Sequence, residues 1–329
     1  MSAGSVSERR SERGRRLVNS SSEMELSNRT RDLDPRIASG ADYGNPDPVP
    51  AWMQVDWPAH RRSVELPGAK VNYVDIGEGS PILFIHGISG GWQNWLENLP
   101  HFGTDRRVVA LDLPGFGASP MPDWEVGMPA YGRLIHDFCE KLGLERATLV
   151  GNSMGGFVAV EAATAEPQRY SRLVLVSAAG ILNTWNPKAR ATATAYAWSK
   201  LGGVVADNGR WLVAHPRSRQ LALAPFLRYP GRLRPELLVE QMAGGRCPGF
   251  GDALQSLISH DIRERLGTIE LPTLIVWGLS DRVIPVAAAI SYHRRIPNSR
   301  LEIFERTGHV PQLERPARFN TLLDEFLAE

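Results

Sequence analysis

The stretch Ala147-Thr-Leu-Val-Gly-Asn-Ser-Met-Gly-Gly156 decides how this chain of 329 residues folds. Residues 151–155 fit the pattern G-x-S-x-G. The apolar run 147–150 predicts a strand that leads into the pattern, and the Ala- and Gly-rich segment 154–165 predicts a helix that leads out. A serine on so sharp a turn is held in strained geometry, with its hydroxyl raised above the sheet, and the flanking glycines let neighbouring backbone come close.

Other short apolar runs surround this one along the chain, and each ends at or just before a glycine-containing turn. They lie at 81–85, 108–112, 173–177, 272–277 and 301–304. Runs of this length that are apolar on both faces are typical of a parallel sheet covered by helices on both sides. Two earlier runs, 62–66 and 71–75, predict strands joined by Pro67-Gly68. We therefore expect an α/β fold with a mostly parallel sheet, helices on both faces and right-handed crossovers.

The strand rhythm is interrupted once, between Ile181 and Thr268. That region shows helical patterns at 190–201, 235–242 and 251–259 and no strand run, which predicts a helical insertion over 181–267. The sheet-containing core is expected over 56–180 and 268–329. Residues 1–55 are expected to form a disordered tail, because 11–40 are dominated by Ser, Arg, Glu and Asp.

Composition and charge exclude several classes of function. The 37 Lys and Arg residues against 36 Asp and Glu give a net charge of +1, so no strong field would hold nucleic acid or an anionic membrane. The two cysteines, Cys139 and Cys247, form neither a disulfide framework nor a zinc pattern. No apolar run approaches the roughly 18–20 residues of a membrane helix, and no apolar targeting segment is evident, so a cytoplasmic protein is expected.

A second match to G-x-S-x-G offers an alternative nucleophile. Gly87-Ile88-Ser89-Gly90-Gly91 fits the pattern and also follows a predicted strand. A helix after Ser89 would have to begin through two glycines, which is a poor start. Ser153 is therefore the preferred nucleophile, and Ser89 remains the competing candidate.

A serine nucleophile needs a base, and the base needs an orienting acid. Of the eight histidines, only His309 sits in a glycine-preceded loop between a late strand and the last helix. Asp281 follows the run 272–277 at the same carboxyl edge of the sheet as Ser153. Asp112 and Asp261 are less well placed, since one ends an earlier strand and the other lies in a helical stretch. The order Ser, Asp, His fits this kind of triad.

Together these residues resemble the α/β-hydrolase fold superfamily over roughly residues 60–329. The resemblance rests on five motifs in order: His86-Gly87, Asp112-Leu-Pro-Gly-Phe-Gly-Ala-Ser119, residues 151–155, Trp277-Gly-Leu-Ser-Asp281 and Gly308-His309. It implies Ser153 as nucleophile, Asp281 as acid and His309 as base. It also implies an oxyanion hole made by the backbone N–H groups of Ile88 and Met154, and it identifies the insertion as a lid.

Departures from relatives narrow the chemistry. Haloalkane dehalogenases and epoxide hydrolases carry Asp where this chain has Ser153. The elbow 151–156 is similar to that of meta-cleavage-product hydrolases, which split carbon–carbon bonds, but those relatives typically carry Trp where this chain has Val310. We expect hydrolysis of a small apolar ester or related acyl substrate without metal or organic cofactor. Carbon–carbon hydrolysis is the alternative, and a non-catalytic ligand-binding protein is the alternative from another class.

Aromatic residues of the insertion are candidates for lining a substrate pocket, although packing of the lid explains them equally well. They are Trp185, Tyr196, Trp198, Trp211, Phe226, Tyr229 and Phe250. Trp92 and Trp95, beside the predicted oxyanion loop, carry the same two interpretations. The oligomeric state does not follow from the sequence.

Overall fold

A single sheet of eight strands organises the part of the chain that the computed structural model describes, residues 42–181, 213–242 and 247–329. The strands are β1 Arg61–Leu66, β2 Ala69–Ile76, β3 Pro81–Ile85, β4 Arg107–Leu111, β5 Ala147–Asn152, β6 Tyr170–Val176, β7 Thr273–Gly278 and β8 Ser299–Phe304. Their order across the sheet is β1-β2-β4-β3-β5-β6-β7-β8. Each predicted strand is present, with bounds shifted by a few residues at most.

The sheet is antiparallel at one edge and parallel elsewhere. β2 pairs antiparallel with both β1 and β4, whereas the pairs from β4 through β3, β5, β6 and β7 to β8 are parallel. Every residue of β5 and β7 is buried, as expected for strands covered on both faces. The predicted mostly parallel α/β fold is confirmed.

Helices fill the connections between strands. Within the described residues they are α1 Trp57–His60, α2 Leu99–Phe102, α3 Met128–Leu142, α4 Met154–Ala165, α5 Pro216–Leu223, α6 Pro235–Met242, α7 Phe250–Ser259, α8 Ala287–Arg295, α9 Pro311–Glu314 and α10 Pro316–Ala328. α3 packs against α4, where a Cβ on Gly132 would overlap the side chain of Glu161. Phe319 and Leu323 of α10 join Phe84 of β3 in one buried apolar cluster. The carboxyl edge of the sheet therefore rests on a rigid, well-packed base.

The packed chain begins before residue 56, where we expected the tail to end. Tyr43 and Trp52 are buried in the same apolar cluster as the sheet. The indole N–H of Trp52 donates to Glu97 at 3.1 Å. Large aromatic surfaces bury readily, so these two residues attach 42–55 to the core. Residues 1–41 lie outside the described residues.

The described part of the insertion is helical. α6 coincides with the predicted helix 235–242, and α7 begins one residue before the predicted 251–259. No strand occurs within 213–242 or 247–267. α5 was not anticipated, because its apolar residues form no continuous stripe and Leu221 is 83% exposed. The predicted helix 190–201 lies outside the described residues.

Candidate active site

Ser153 occupies the sharp turn between β5 and α4. Its φ of 55° and ψ of −115° are strained for a residue with a side chain. Its N–H donates to the carbonyl of Val176 at 2.9 Å, and its own carbonyl accepts from Ala179 at 2.9 Å. A Cβ on Gly155 would overlap the carbonyl oxygen of Ile85, so only glycine permits this approach. The neighbouring strands therefore hold the turn in a conformation that it would not adopt alone.

Asp281 and His309 meet at the same edge of the sheet. His309 Nδ1 lies 2.8 Å from Asp281 Oδ2, with the Asp281 side chain fully buried and that of His309 only 7% exposed. Asp281 Oδ1 accepts the N–H groups of Val283 and Ile284 at 2.8 and 2.9 Å. These donors fix the carboxylate, so an Nδ1–H on the imidazole points at Asp281 and Nε2 is left as the proton acceptor.

The three predicted residues follow three strands of the parallel sheet, β5, β7 and β8. A direct link joins two of the loops: the Asn152 side-chain amide donates to the carbonyl of His309 at 3.4 Å. Gly278, the last residue of β7, lies so close to Gly308 that a Cβ there would overlap the Gly308 carbonyl oxygen. The structure thus brings the His309 loop against both the Ser153 turn and the Asp281 turn.

The loop after β3 lies beside Ser153, since a Cβ on Gly87 would be 3.3 Å from the Cβ of Ser153. Buried His86 places its Nδ1 2.7 Å from the Gly87 carbonyl and accepts the Leu113 N–H on Nε2 at 2.9 Å. Because Nε2 accepts, the proton must sit on Nδ1. Burial lowers the pKa of His86 to about 4, which keeps this ring neutral near pH 7.

His86 also sets the direction of the predicted oxyanion donor. The Gly87 carbonyl accepts from His86 and from the Gly90 N–H at 3.0 Å. In a trans peptide the following N–H points opposite to the carbonyl, so the Ile88 N–H is directed away from these contacts. Among the described residues, the N–H groups of Ile88 and Met154 have no hydrogen-bond acceptor. Met154 is the first residue of α4, where an unpaired N–H is expected.

Ser89 differs from Ser153 in the residues on its C-terminal side. It has a φ of 66° and is buried, and its hydroxyl has no hydrogen-bond partner in the described part of the chain. Gly90 and Gly91 come next, followed by a short 3-10 helix, Trp92–Trp95, and not by an α-helix. The sequence predicted a poor helix start here for this reason.

Glu314, at the end of α9, is a buried acid that the sequence did not single out. Its Oε1 accepts the Gly308 N–H at 2.8 Å and the Val310 N–H at 3.3 Å. Its Oε2 accepts the Tyr43 hydroxyl at 2.7 Å and the Arg228 N–H at 2.8 Å. Burial raises the pKa of Glu314 to about 7, although these four donors act to lower it. The sequence signal was faint: one acid in an otherwise uncharged turn just after His309.

The described aromatic residues near the predicted lid are engaged in packing. Tyr229 packs edge-on against Tyr43, with ring centroids 5.4 Å apart, and Phe226 packs against the apolar cluster of the sheet. Trp95 is fully buried against Phe84 at 4.9 Å. Trp92 and Phe250 are also buried. Trp185, Tyr196, Trp198 and Trp211 lie outside the described residues, so a pocket-lining role for them stays a prediction.

Membrane-spanning helices and metal-binding clusters are both missing from the described residues. None of the helices there combines the length and the apolar character that crossing a membrane requires. Within the same ranges, no three His, Cys, Asp or Glu residues cluster in a way that could hold a metal ion.

Comparison with known proteins agrees with this geometry. Residues 80–316 match the family model described as alpha/beta hydrolase fold. A 2-hydroxy-6-oxo-2,4-heptadienoate hydrolase of Pseudomonas putida is 32% identical, over 81% of this chain and 96% of the relative. The structure of a meta-cleavage product hydrolase from Pseudomonas fluorescens IP01 is 27% identical with a TM-score of 0.64, covering 81% of this chain and 97% of that one.

An enzyme described as degrading N-acyl homoserine lactones is also 27% identical with a TM-score of 0.64, covering 80% of this chain and all of that one. These similar proteins are hydrolases, which removes the support for a non-catalytic binding protein. The fold, the matched residues and the relatives agree, and the chain belongs to the alpha/beta hydrolase fold family and is an enzyme of that family.

Proposed function

We propose that this enzyme is a serine hydrolase of carboxylic esters or related acyl substrates, with Ser153 as nucleophile, His309 as base and Asp281 as orienting acid. The observation that carries the proposal is the 2.8 Å contact between His309 Nδ1 and the buried Asp281 carboxylate. It fixes the imidazole with Nε2 as acceptor, at the sheet edge where the strained turn presents Ser153.

The first half-reaction forms an acyl-enzyme. Ser153 Oγ attacks the substrate carbonyl carbon while His309 Nε2 takes the hydroxyl proton. The resulting oxyanion accepts hydrogen bonds from the N–H groups of Ile88 and Met154. When the tetrahedral intermediate collapses, the bond to the leaving group breaks and His309 gives its proton to that group. Asp281 stays ionised throughout and stabilises the imidazolium.

The second half-reaction releases the acid. Water attacks the acyl carbon, and His309 Nε2 takes one proton from it. Collapse of the second tetrahedral intermediate breaks the bond to Ser153 Oγ, which recovers its proton from His309. The cycle consumes one water and restores the free enzyme, and it calls for no metal or organic cofactor.

Carbon–carbon hydrolysis of a vinylogous diketone is the second candidate. It is favoured by the 32% identity to the heptadienoate hydrolase and by the elbow 151–156. Val310 stands against it, since the sequence expectation for that class is Trp after the histidine. The lactone-degrading relative supports acyl transfer, because a lactone is a cyclic ester.

A paired substrate panel separates the two candidates. Initial rates are measured on p-nitrophenyl esters of increasing acyl length and on a ring-fission diketone, with the purified chain and with Ser153→Ala. We expect ester turnover that depends on acyl length and falls to background in the variant. High diketone turnover with negligible ester hydrolysis would reverse the order of the candidates. A folded protein that turns over neither substrate would contradict both.

A further inference from the structure

Three consecutive backbone N–H groups around His309 are all held by buried acceptors. Those of Gly308 and Val310 donate to Glu314 Oε1 at 2.8 and 3.3 Å. The N–H of His309 itself donates to the carbonyl of Phe226 at 2.7 Å. The backbone that carries the proposed base is therefore fixed from two sides, by one carboxylate and by one carbonyl.

The second oxygen of Glu314 ties this loop to two distant parts of the chain. Oε2 accepts the Arg228 N–H at 2.8 Å and the Tyr43 hydroxyl at 2.7 Å. The Tyr43 oxygen in turn accepts the Tyr229 N–H at 2.9 Å. One carboxylate thus joins residues 308–310, the segment 226–229 of the insertion, and the segment that precedes β1.

Stability alone is a weak reason to place a carboxylate here. Glu314 is fully buried, and removing a carboxylate from water is costly even when it is well hydrogen-bonded. Each of its four partners donates, so the site is built for an acceptor on both oxygens. Beside it, the Arg315 guanidinium lies 5.2 Å from the Tyr43 ring centroid and pairs with Asp42, so the surroundings are also fixed.

We propose that Glu314 is a positioning residue for His309, and that through it the segment 226–229 and Tyr43 help to set the orientation of the imidazole. The inference rests on the proposed function, because it concerns the residue assigned there as base. Glu314 contacts only the backbone of that loop, so it acts through His309 and not on the substrate.

Removing the carboxylate tests this role directly. In Glu314→Ala, the N–H groups of Gly308 and Val310 lose their acceptor, and the loop is free to shift the imidazole relative to Ser153. Displacements of about 1 Å in a catalytic group cost up to about a hundredfold in rate. We expect kcat to fall about tenfold to a hundredfold, with KM changed by less than about twofold because no substrate contact is lost.

Two graded variants and one control sharpen the test. Glu314→Gln keeps one oxygen for Gly308 and Val310 but presents an amide N–H₂ to Arg228, so kcat should recover to within about fivefold of wild type. Tyr43→Phe removes one donor and leaves the carboxylate in place, and should lower kcat about twofold to fivefold. Glu325→Gln, at an exposed position on α10, should leave kcat unchanged.

The measurements are kcat and KM on the best ester, normalised by active-site titration with a fluorophosphonate, so that misfolded protein is not counted. The far-downfield proton NMR resonance of the His309 Nδ1–H is recorded for each variant as a readout that needs no substrate. The expected result is a kcat loss per titrated site in Glu314→Ala, with a shifted or broadened resonance, and substantial recovery of both in Glu314→Gln.

Two outcomes would overturn the inference while leaving the proposed function intact. One is Glu314→Ala with wild-type kcat per titrated site and an unchanged resonance. The other is a kcat loss that disappears after normalisation, which would make Glu314 a stability residue only. If wild type lacks turnover and labelling, the proposed function fails instead, and the resonance alone decides whether Glu314 positions the imidazole.

Discussion

The turns at Ser153 and Ser89 satisfy the same sequence pattern, and comparing them shows what the pattern leaves out. They follow neighbouring parallel strands, β5 and β3, and both serines are buried with positive φ, 55° and 66°. Ser153 opens α4, and its N–H and carbonyl are paired with the turn after β6. Ser89 runs into two glycines and a 3-10 helix.

The comparison separates a tight turn from a nucleophile elbow. Glycines on both sides of a serine indicate a sharp reversal in either place. A helix that begins at the next residue adds an unpaired N–H and the positive end of its dipole beside the hydroxyl. The other loop contributes its backbone instead, with the Ile88 N–H turned outward by His86. On this account one turn supplies the nucleophile and the other supplies an oxyanion donor.

The largest effect is expected at Ser153. Ser153→Ala should reduce ester turnover on the order of 10⁴–10⁶-fold, because no other hydroxyl takes its place beside His309. Initial rates at saturating substrate measure the loss, and circular dichroism and thermal melting show whether the variant is folded. A folded variant that keeps more than a few per cent of the activity would refute the assignment.

Asp281 is expected to rank next. Asp281→Asn keeps the size of the side chain but removes the charge and favours the wrong imidazole tautomer, which should lower kcat about 10⁴-fold. Steady-state kinetics measure this loss. A drop of less than about tenfold would mean that another acid orients His309.

His86 tests the second half of the comparison. His86→Leu removes the donor to the Gly87 carbonyl, so the Ile88 N–H is free to rotate and kcat should fall about tenfold to a hundredfold. His86→Asn retains a donor and should recover most of the rate. Equal activity in the two variants would mean that the Ile88 donor does not depend on this hydrogen bond.

The lowered pKa of His86 also predicts a pH effect on stability. The folded ring has a pKa of about 4 against 6.5 for the unfolded ring, so the unfolded chain binds more protons between these values. This contribution is complete above pH 6.5 and is lost as the pH falls toward 4, by about 3 kcal/mol.

Denaturant unfolding of wild type and His86→Asn at several pH values between about 7 and about 4 isolates this contribution. The stability difference between the two should shift against wild type as the pH falls. A difference that stays constant over this range would show that His86 is not held neutral by burial.

The smallest effect is expected at Ser89. Its hydroxyl has no partner within the described residues, so Ser89→Ala removes no hydrogen bond seen there and should change kcat by less than about threefold. The same ester assay measures it. A loss comparable to that of Ser153→Ala would abolish the distinction between the two turns.

The sheet and the triad positions were predictable because their signals are local. Apolar runs such as 147–152 and 273–278 identify strands by themselves, and the carboxyl ends of parallel strands meet at one edge. Asp281 and His309 follow such runs, and the structure brings them to 2.8 Å. The bounds of α6 were predicted for the same reason, from one segment's own pattern.

The contacts of Glu314 were not predictable, because they join parts of the chain with no shared pattern. Tyr43 lies 271 residues from Glu314 in sequence, and Arg228 lies 86 away. An acid on a short helix is usually exposed, so nothing in residues 311–314 indicates burial. Tyr43 itself falls within a segment whose polar composition predicted a tail. Only the fold shows that these residues meet behind His309.

Labelling with a fluorophosphonate, followed by peptide mapping, tests the central claim most directly, because the reagent reacts only with an activated serine. The account predicts one adduct per chain, on Ser153, which is present in Ser89→Ala and absent in Ser153→Ala. An adduct on Ser89, or no adduct in a folded sample that hydrolyses esters, would contradict it.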